Sequence, residues 1–285
     1  MDKLYIIAQK DQHQTDAISA GLALAKQLNL QAEIGCYSYE SLSGESYYDN
    51  EIASKAQAQI LADELASIQE QLHTLAAMDT PVVQNWCKNL AEHACQHVRP
   101  ESHSFMVKSI HDSDQFLPAD WQLIRHTQVP LMLMSNNPLN KARSVLMAID
   151  LGTNKLEKQH LNEQVIAQAK RLAEVTGFEL HLGYVVRVPK ILRDMDILNI
   201  RTLVKDAYNK HQEAIAKIGI DNENVHILAG NADMCLFELS CRLKAQYLVM
   251  GIHQKQGIFG HIIGNTSEAI LSKVRSNIVV VPSKR

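Results

Sequence analysis

Short apolar runs alternate with amphipathic stretches along the second half of the chain. Val145–Ile149 has the pattern of a buried strand and is followed by Asp150, and the stretch from about Lys158 to Val175 has apolar residues at helical spacing before Gly177. The alternation continues to the C-terminus, which predicts a doubly wound, mostly parallel sheet flanked by helices. The other predicted strands are Phe178–Val186, Val225–Leu228, Tyr247–Met250 and Ile278–Val281, and the other predicted helices are about Leu198–Ile218, Asp233–Leu243 and Thr266–Val274.

The first half repeats this order of elements. Its predicted strands are Leu4–Ala8, Ala32–Tyr37, Val82–Val83, Ser104–Lys108 and Val129–Met134, and its predicted helices are Ala17–Leu28, about Glu51–Met78 and Trp86–Val98. The turn-forming segment 135–143 then predicts a linker. We therefore expect an α/β chain of two tandem domains, 1–139 and 140–285, with the boundary near Asn140.

Composition narrows the classes of function. The length of 285 residues suits two domains that each bury a core, and the shares of 46% hydrophobic and 21% charged residues are those of a globular protein. With a net charge of -3, the chain has no excess of positive charge with which to bind nucleic acid or an anionic membrane. Without an apolar run long enough for a signal peptide or a membrane span, we expect a cytoplasmic protein. Five cysteines with no C-x-x-C pair predict reduced thiols rather than disulfides or a zinc knuckle.

The stretch Gly251–Ile270 has the composition of an anion-binding loop. It leaves a predicted strand, is rich in glycine, and ends at the predicted helix whose first turn includes Thr266. Glycines let backbone amides approach an anion closely, and a helix N-terminus adds unpaired N–H donors. The sequence therefore predicts a place where a phosphate is held.

This stretch resembles the universal stress protein family, whose nucleotide-binding members carry G-x2-G-x9-G followed by Ser, Thr or Asn. Gly251 matches the first glycine, Gln254 replaces the second, and Gly264-Asn265 closes the motif. Asp150 matches the aspartate at the strand end in that family. The residues that the resemblance marks for nucleotide binding are Asp150, Val185, Gly251, His253, Gln254, Gly264, Asn265 and Thr266.

The resemblance implies roles for these residues and for the whole chain. Asp150 would meet ribose hydroxyls or a Mg²⁺ ion bound to the phosphates of ATP, and the backbone of Val185 would meet adenine. Gln254 puts a side chain where the family has glycine, and one lost contact would cost about 1–3 kcal/mol, roughly tenfold to a hundredfold in affinity. Segments 264–268 and 118–121 look like those of tandem-domain members, which implies two Rossmann-like, adenine nucleotide alpha hydrolase-like domains with five-stranded sheets.

The resemblance also implies a function. The leading expectation is a non-enzymatic stress-response protein whose second domain binds ATP, and whose domains pair as a pseudo-dimer or associate further as a homodimer. One alternative is a tandem protein that binds an apolar, lipid-like ligand or acts as a protein scaffold without nucleotide. A second alternative is a slow ATPase.

The first half departs further from the motif. Ser109-Ile-His-Asp112 aligns with Gly251-Ile-His-Gln254, but only four residues instead of nine remain before Leu117, the counterpart of Gly264. No glycine is present in this loop, Pro118 removes a donor near the helix start, and Gln9 replaces the strand-end aspartate. The first domain is therefore predicted to have lost nucleotide binding.

Other groupings of reactive residues are weaker. His93 and His97 lie four apart on a predicted helix and could share a face, but no third metal ligand lies within reach in the sequence, which favours surface histidines. No G-x-S-x-G, H-E-x-x-H or Walker lysine motif occurs. The sequence therefore indicates no catalytic residues and no resident metal other than Mg²⁺ with a nucleotide.

Overall fold

The chain forms two compact units, Met1–Met134 and Ser135–Arg285. The computed structural model describes residues 2–9, 17–42, 50–110, 118–135, 142–189, 191, 199–257, 260–262, 265–273 and 275–283. The boundary expected near Asn140 lies outside these ranges, as does most of the predicted linker.

The described part of the first unit contains five strands and four helices. The strands are β1 (Lys3–Gln9), β2 (Gln31–Ser38), β3 (Val82–Trp86), β4 (His103–Ser109) and β5 (Leu131–Met134), and the helices are α1 (Ala17–Leu28), α2 (Asn50–Thr74), α3 (Leu90–His97) and α4 (Pro118–His126).

The five strands form one parallel sheet in the order β3-β2-β1-β4-β5. The central strand β1 is covered on both faces, which explains its continuous apolar run, in which Leu4, Ile6 and Ile7 are fully buried. Gly21 of α1 lies against Ile6, and a Cβ there would come within 2.7 Å of the isoleucine side chain. Helix α1 therefore packs unusually close to the sheet.

The described part of the second unit repeats the fold with seven strands and four helices. The strands are β6 (Ala142–Ala148), β7 (Glu179–Arg187), β8 (Val225–Gly230), β9 (Ala245–Ile252), β10 (Lys255–Gly257), β11 (Gly260–Ile262) and β12 (Asn277–Pro282), and the helices are α5 (Leu156–Thr176), α6 (Ile200–Ile218), α7 (Ala232–Arg242) and α8 (Asn265–Leu271).

Five of these strands form a parallel sheet in the order β8-β7-β6-β9-β12, the same arrangement as in the first unit. Helices α5 and α6 end at Gly177 and Gly219, which adopt left-handed conformations with φ of 65° and 69°. Both glycines lie within two residues of the predicted helix ends, and only glycine adopts this conformation without steric cost. The predicted doubly wound α/β class is confirmed for both units.

Three local predictions were wrong. Trp86 was assigned to a helix but ends β3, because it pairs with Ser38 and because the helix begins only at Leu90, after Asn89 caps it by accepting from the Glu92 amide. Helix α2 ends at Thr74 rather than Met78, since the chain turns at Ala76 with a φ of 50°. The stretch after β9 was predicted as an open loop, yet β10 and β11 pair there as an antiparallel hairpin.

None of the helices in the described ranges combines the length and apolarity that crossing a bilayer requires.

Candidate functional site

The second unit has its topological switch point between β6 and β9. The chain goes from β6 to β7 on one side, and it later returns to place β9 on the other side. In open parallel sheets of this kind, ligands bind in the crevice outside the carboxyl ends of the two strands that flank the switch point. Asp150 follows β6 and Gly251 lies near the end of β9, so both predicted residues stand at this crevice.

A cavity of about 400 Å³ opens at this crevice. Its size is within the range of about 300–1,000 Å³ that small-molecule sites occupy. Its lining combines apolar side chains from the sheet and helices with a smaller set of polar ones. Polar side chains in the lining include those of Asp150, Lys158, Asn162, Tyr184, Thr266 and Ser267.

Asp150 is held in place through its backbone. Its amide N–H donates to Oδ1 of Asn162 at 3.2 Å, and Nδ2 of Asn162 donates to the Asp150 carbonyl at 2.8 Å. Its carboxylate Oδ2 lies 3.7 Å from Nζ of Lys158, and both side chains are about half-exposed. The backbone of Asp150 is therefore anchored, while its carboxylate lies beside one cation and stays partly exposed.

Tyr184 lines the same cavity as Asp150. Its ring meets the ring of His211 edge-on, with centroids 5.4 Å apart. Burial and the negative charge of Asp150 raise the pKa of the Tyr184 hydroxyl, and burial lowers the pKa of His211. Both rings are therefore neutral at physiological pH. A Cβ at Gly152 would come within 2.7 Å of the tyrosine hydroxyl, so a side chain at this position would displace the tyrosine.

Gly251 has a packing role in the structure. A Cβ at this position would lie 2.6 Å from Cγ of Leu161, which lines the same cavity on α5. The sequence pattern predicted that the backbone at Gly251 is open to an anion. The close approach of α5 to β9 is by itself sufficient to require glycine here.

Only some of the other predicted residues line the cavity. Val185, His253 and Thr266 line the cavity together with Asp150 and Gly251. Gln254 lies after the end of β9 and is not part of the lining. Gly264 lies outside the described residues, as does the side chain of Asn265.

The lining also includes Lys158, Asn162 and Tyr184, which the sequence pattern did not predict. Lys158 and Asn162 are four residues apart on α5, with Leu161 between them, so all three lie on the face that packs beside the end of β6. The predicted helix already begins at about Lys158, so the helical spacing of these residues is a signal that could have found this part of the site. Tyr184 stands in the middle of a strand and carries no comparable signal.

The equivalent position in the first unit contains a buried ion pair. Nζ of Lys108, on β4, lies 2.9 Å from Oδ1 of Asp120, in the first turn of α4, and neither side chain is exposed. The ammonium also donates to the Ser109 carbonyl at 2.9 Å. By the alignment of the two loops, Lys108 corresponds to Met250 and Asp120 to Ser267, both of which line the cavity of the second unit.

The first unit nevertheless retains a cleft of about 700 Å³ at the carboxyl ends of its strands. Gln9, the counterpart of Asp150, contributes to it, and so does the acidic Glu40. The cleft thus lacks the strand-end carboxylate of the second unit and has a carboxylate elsewhere, after β2.

Comparison with known proteins identifies a family for the second unit. Residues 142–282 match the Universal stress protein family. Universal stress protein E of Salmonella typhi is 24% identical over 236 residues, which cover 78% of this chain and 75% of that protein. The Universal stress protein E homolog of Haemophilus influenzae is 23% identical over 213 residues, 70% of this chain and 69% of that protein.

The fold is also found in a solved structure of similar length. A universal stress protein from Pseudomonas aeruginosa UCBPP-PA14 superposes with a TM-score of 0.74 at 20% identity, over 99% of this chain and 93% of that one.

Proposed function

This chain belongs to the universal stress protein family through residues 142–282 of its second unit, and we propose that this unit binds an adenine nucleotide such as ATP. In this proposal the first unit is a structural partner without a nucleotide site. The observation that carries the proposal is the cavity at the switch point of the second unit, which brings Asp150, Val185 and Thr266 together. In this proposal the protein acts in a stress response and is not an enzyme.

The polar groups of the cavity suit the parts of a nucleotide. Asp150 offers a carboxylate to ribose hydroxyls or to a Mg²⁺ ion, and Lys158 and Arg187 supply positive charge toward phosphates. The hydroxyls of Thr266 and Ser267 add hydrogen bonds to phosphate oxygens. Among the described residues of the first unit, Asp120 occupies the position aligned with Ser267 and is paired with Lys108, so no hydroxyl is offered there.

Calorimetric titration of the full chain with Mg²⁺ and ATP tests the proposal. We expect one site per chain, and we expect Asp150→Ala to weaken binding about tenfold to a hundredfold through loss of one charged hydrogen-bonding group. Gln9→Ala is the matched control, since it alters the corresponding strand end of the first unit and should leave the affinity unchanged. Two equal sites, or equal effects of the two substitutions, would contradict the assignment to the second unit.

The apolar part of the lining favours a second candidate, a lipid-like ligand. Ile149, Leu161, Leu236, Met250 and Ile270 all face the cavity. Mass spectrometry of small molecules released from the natively purified protein separates the candidates. Adenine nucleotide in the extract supports the proposal, and an acyl-chain compound in its place supports the apolar carrier.

A test for hydrolysis addresses the non-enzymatic assignment. Asp150 is the one carboxylate among the described lining residues, and it is paired with Lys158. We therefore expect no phosphate release above the buffer rate during long incubation with ATP and Mg²⁺. Turnover that Asp150→Ala abolishes would instead identify a slow ATPase.

A further inference from the structure

Three side chains with metal-ligating atoms meet at the opposite edge of the first unit's sheet, where its parallel strands begin. Glu33 lies near the start of β2, His97 ends α3, and His103 begins β4. One ligand atom from each lies within 4.8 Å of the other two. Within the ranges that the structure describes, no other group of three or more His, Cys, Asp or Glu side chains meets this spacing.

His103 is oriented as a metal ligand would be. The residue is only 3% exposed, and its Nδ1 lies 2.8 Å from the Ser102 hydroxyl. That hydroxyl donates to the Arg99 carbonyl, so it is available to accept from Nδ1–H. The second nitrogen, Nε2, then carries the lone pair. It is buried with no hydrogen-bond partner among the described residues, and it faces Oε2 of Glu33 at 3.9 Å.

Glu33 and His97 complete the group. The carboxylate of Glu33 is 6% exposed, and its Oε1 lies 2.6 Å from Nε2 of His97. The imidazole of His97 is 38% exposed, which gives an ion a path from solvent and allows the ring to adjust. Nζ of Lys3 binds the other carboxylate oxygen, Oε2, at 2.6 Å. Lys3 thus binds the oxygen that faces His103 and leaves Oε1 directed at His97.

We propose that Glu33, His97 and His103 form a binding site for a divalent transition-metal ion of the zinc class. Such ions take imidazole nitrogen and carboxylate oxygen ligands at about 2.0–2.2 Å, which separates neighbouring ligand atoms by roughly 3.3–3.5 Å. The present spacings, from 2.6 Å to at most 4.8 Å, bracket that value. The Ser102 hydroxyl orients His103 in the way that outer hydrogen bonds orient metal-bound imidazoles.

The simpler reading is an ion pair in which Glu33 binds Lys3 and His97 without a metal. The two readings differ on Lys3, because its positive charge supports an ion pair but repels a metal ion. Under the proposal, Lys3→Gln binds Zn²⁺ at least as tightly as the natural chain. Weaker Zn²⁺ binding by that variant than by the natural chain would overturn the proposal.

The test is calorimetric titration of the untagged full chain with Zn²⁺, after removal of bound metal by a chelator. We expect one Zn²⁺ per chain, with an affinity that falls at least about tenfold in His103→Gln and in His97→Gln. His93→Gln is the matched control. His93 stacks on His97 with centroids 6.5 Å apart, but its Nδ1 bonds to the Tyr37 hydroxyl.

Stability in urea provides a second measurement in case the variant at the buried position, His103→Gln, folds poorly. The two tryptophans of the chain, Trp86 and Trp121, both belong to the first unit, so their fluorescence follows the unfolding of that unit. Zn²⁺ should raise its urea midpoint in the natural chain and in His93→Gln, but not in His97→Gln, whose exposed position tolerates the change. The proposal would be overturned by equal zinc affinity in the natural chain and the three histidine variants. It would also be overturned by an effect of His93→Gln as large as that of His97→Gln.

Discussion

Asp120→Ala should strongly destabilise the first unit, because it leaves the ammonium of Lys108 buried without its counter-ion. The two charges lie 2.9 Å apart and neither is exposed. At an effective dielectric constant of about 20 their attraction is about 6 kcal/mol, while each ion has lost several kcal/mol of hydration. The intact pair therefore contributes little net stability. Removal of one partner is expected to lower the free energy of unfolding by about 3–5 kcal/mol.

Tryptophan fluorescence during urea unfolding of the full chain measures this loss, since Trp86 and Trp121 report on the first unit. The midpoint should fall steeply in Asp120→Ala, because 3–5 kcal/mol is a large fraction of the stability of a typical domain. Glu51→Ala is the control. It removes an ion pair with Lys55 whose side chains are 70% and 74% exposed, and it should leave the midpoint unchanged.

A double substitution separates charge from packing. Lys108→Met with Asp120→Leu removes both charges and fills their volume, so it should recover most of the stability lost in Asp120→Ala. An unchanged midpoint in Asp120→Ala would refute the reasoning that the pair is fully dehydrated. A double variant no more stable than the single one would show that the loss comes from packing.

Three further predictions concern helix capping, pH and thiol chemistry. Gly177→Ala places a Cβ on a residue in a left-handed conformation with a φ of 65°, so it should lower the free energy of unfolding by about 1 kcal/mol. Circular dichroism during urea unfolding measures this change, and no loss of stability would mean that the backbone relaxes. Burial lowers the pKa values of His181 and His226 in the folded chain. In the unfolded chain a histidine has its ordinary pKa of about 6.5 and binds a proton more readily, so stability falls as the pH drops through that value. His226→Gln should therefore lose less stability than the natural chain between about pH 7.5 and about pH 5.5, and an equal loss would exclude this histidine as a source. Burial raises the pKa of Cys95 to about 12, so alkylation followed by mass spectrometry should modify the exposed Cys241 first, and early modification of Cys95 would contradict its burial.

Much of the fold follows from local patterns. Helix α1 matches its predicted range, and α5 and α6 end close to their predicted ends, at glycines with left-handed conformations. Pattern alone failed where one hydrogen bond decides the boundary, as with the Asn89 cap that starts α3 after Trp86. It also failed after β9, where β10 and β11 pair in a segment whose glycines equally suit an open loop.

The candidate sites were harder to predict because they depend on contacts between distant parts of the chain. Asp150 could be found, since a carboxylate after a buried strand lies at the ligand-binding edge of a parallel sheet. The tyrosine that faces it comes from another strand and has no local signal. Likewise, His97 has no third ligand nearby in the sequence, yet folding brings Glu33, 64 residues away, to 2.6 Å.

The buried pair also suggests why the two units diverged in more than one residue. A buried lysine in β4 is tolerated only with an anion beside it, and the first turn of α4 supplies that anion as Asp120. The second unit has Met250 and Ser267 at the aligned positions, and neither carries a charge. Either single exchange between the two patterns would leave a buried charge unpaired, so the lysine and the aspartate must be gained or lost together. The first unit is thus fixed in a state in which its own carboxylate, that of Asp120, fills the position that the hydroxyl of Ser267 occupies in the second unit.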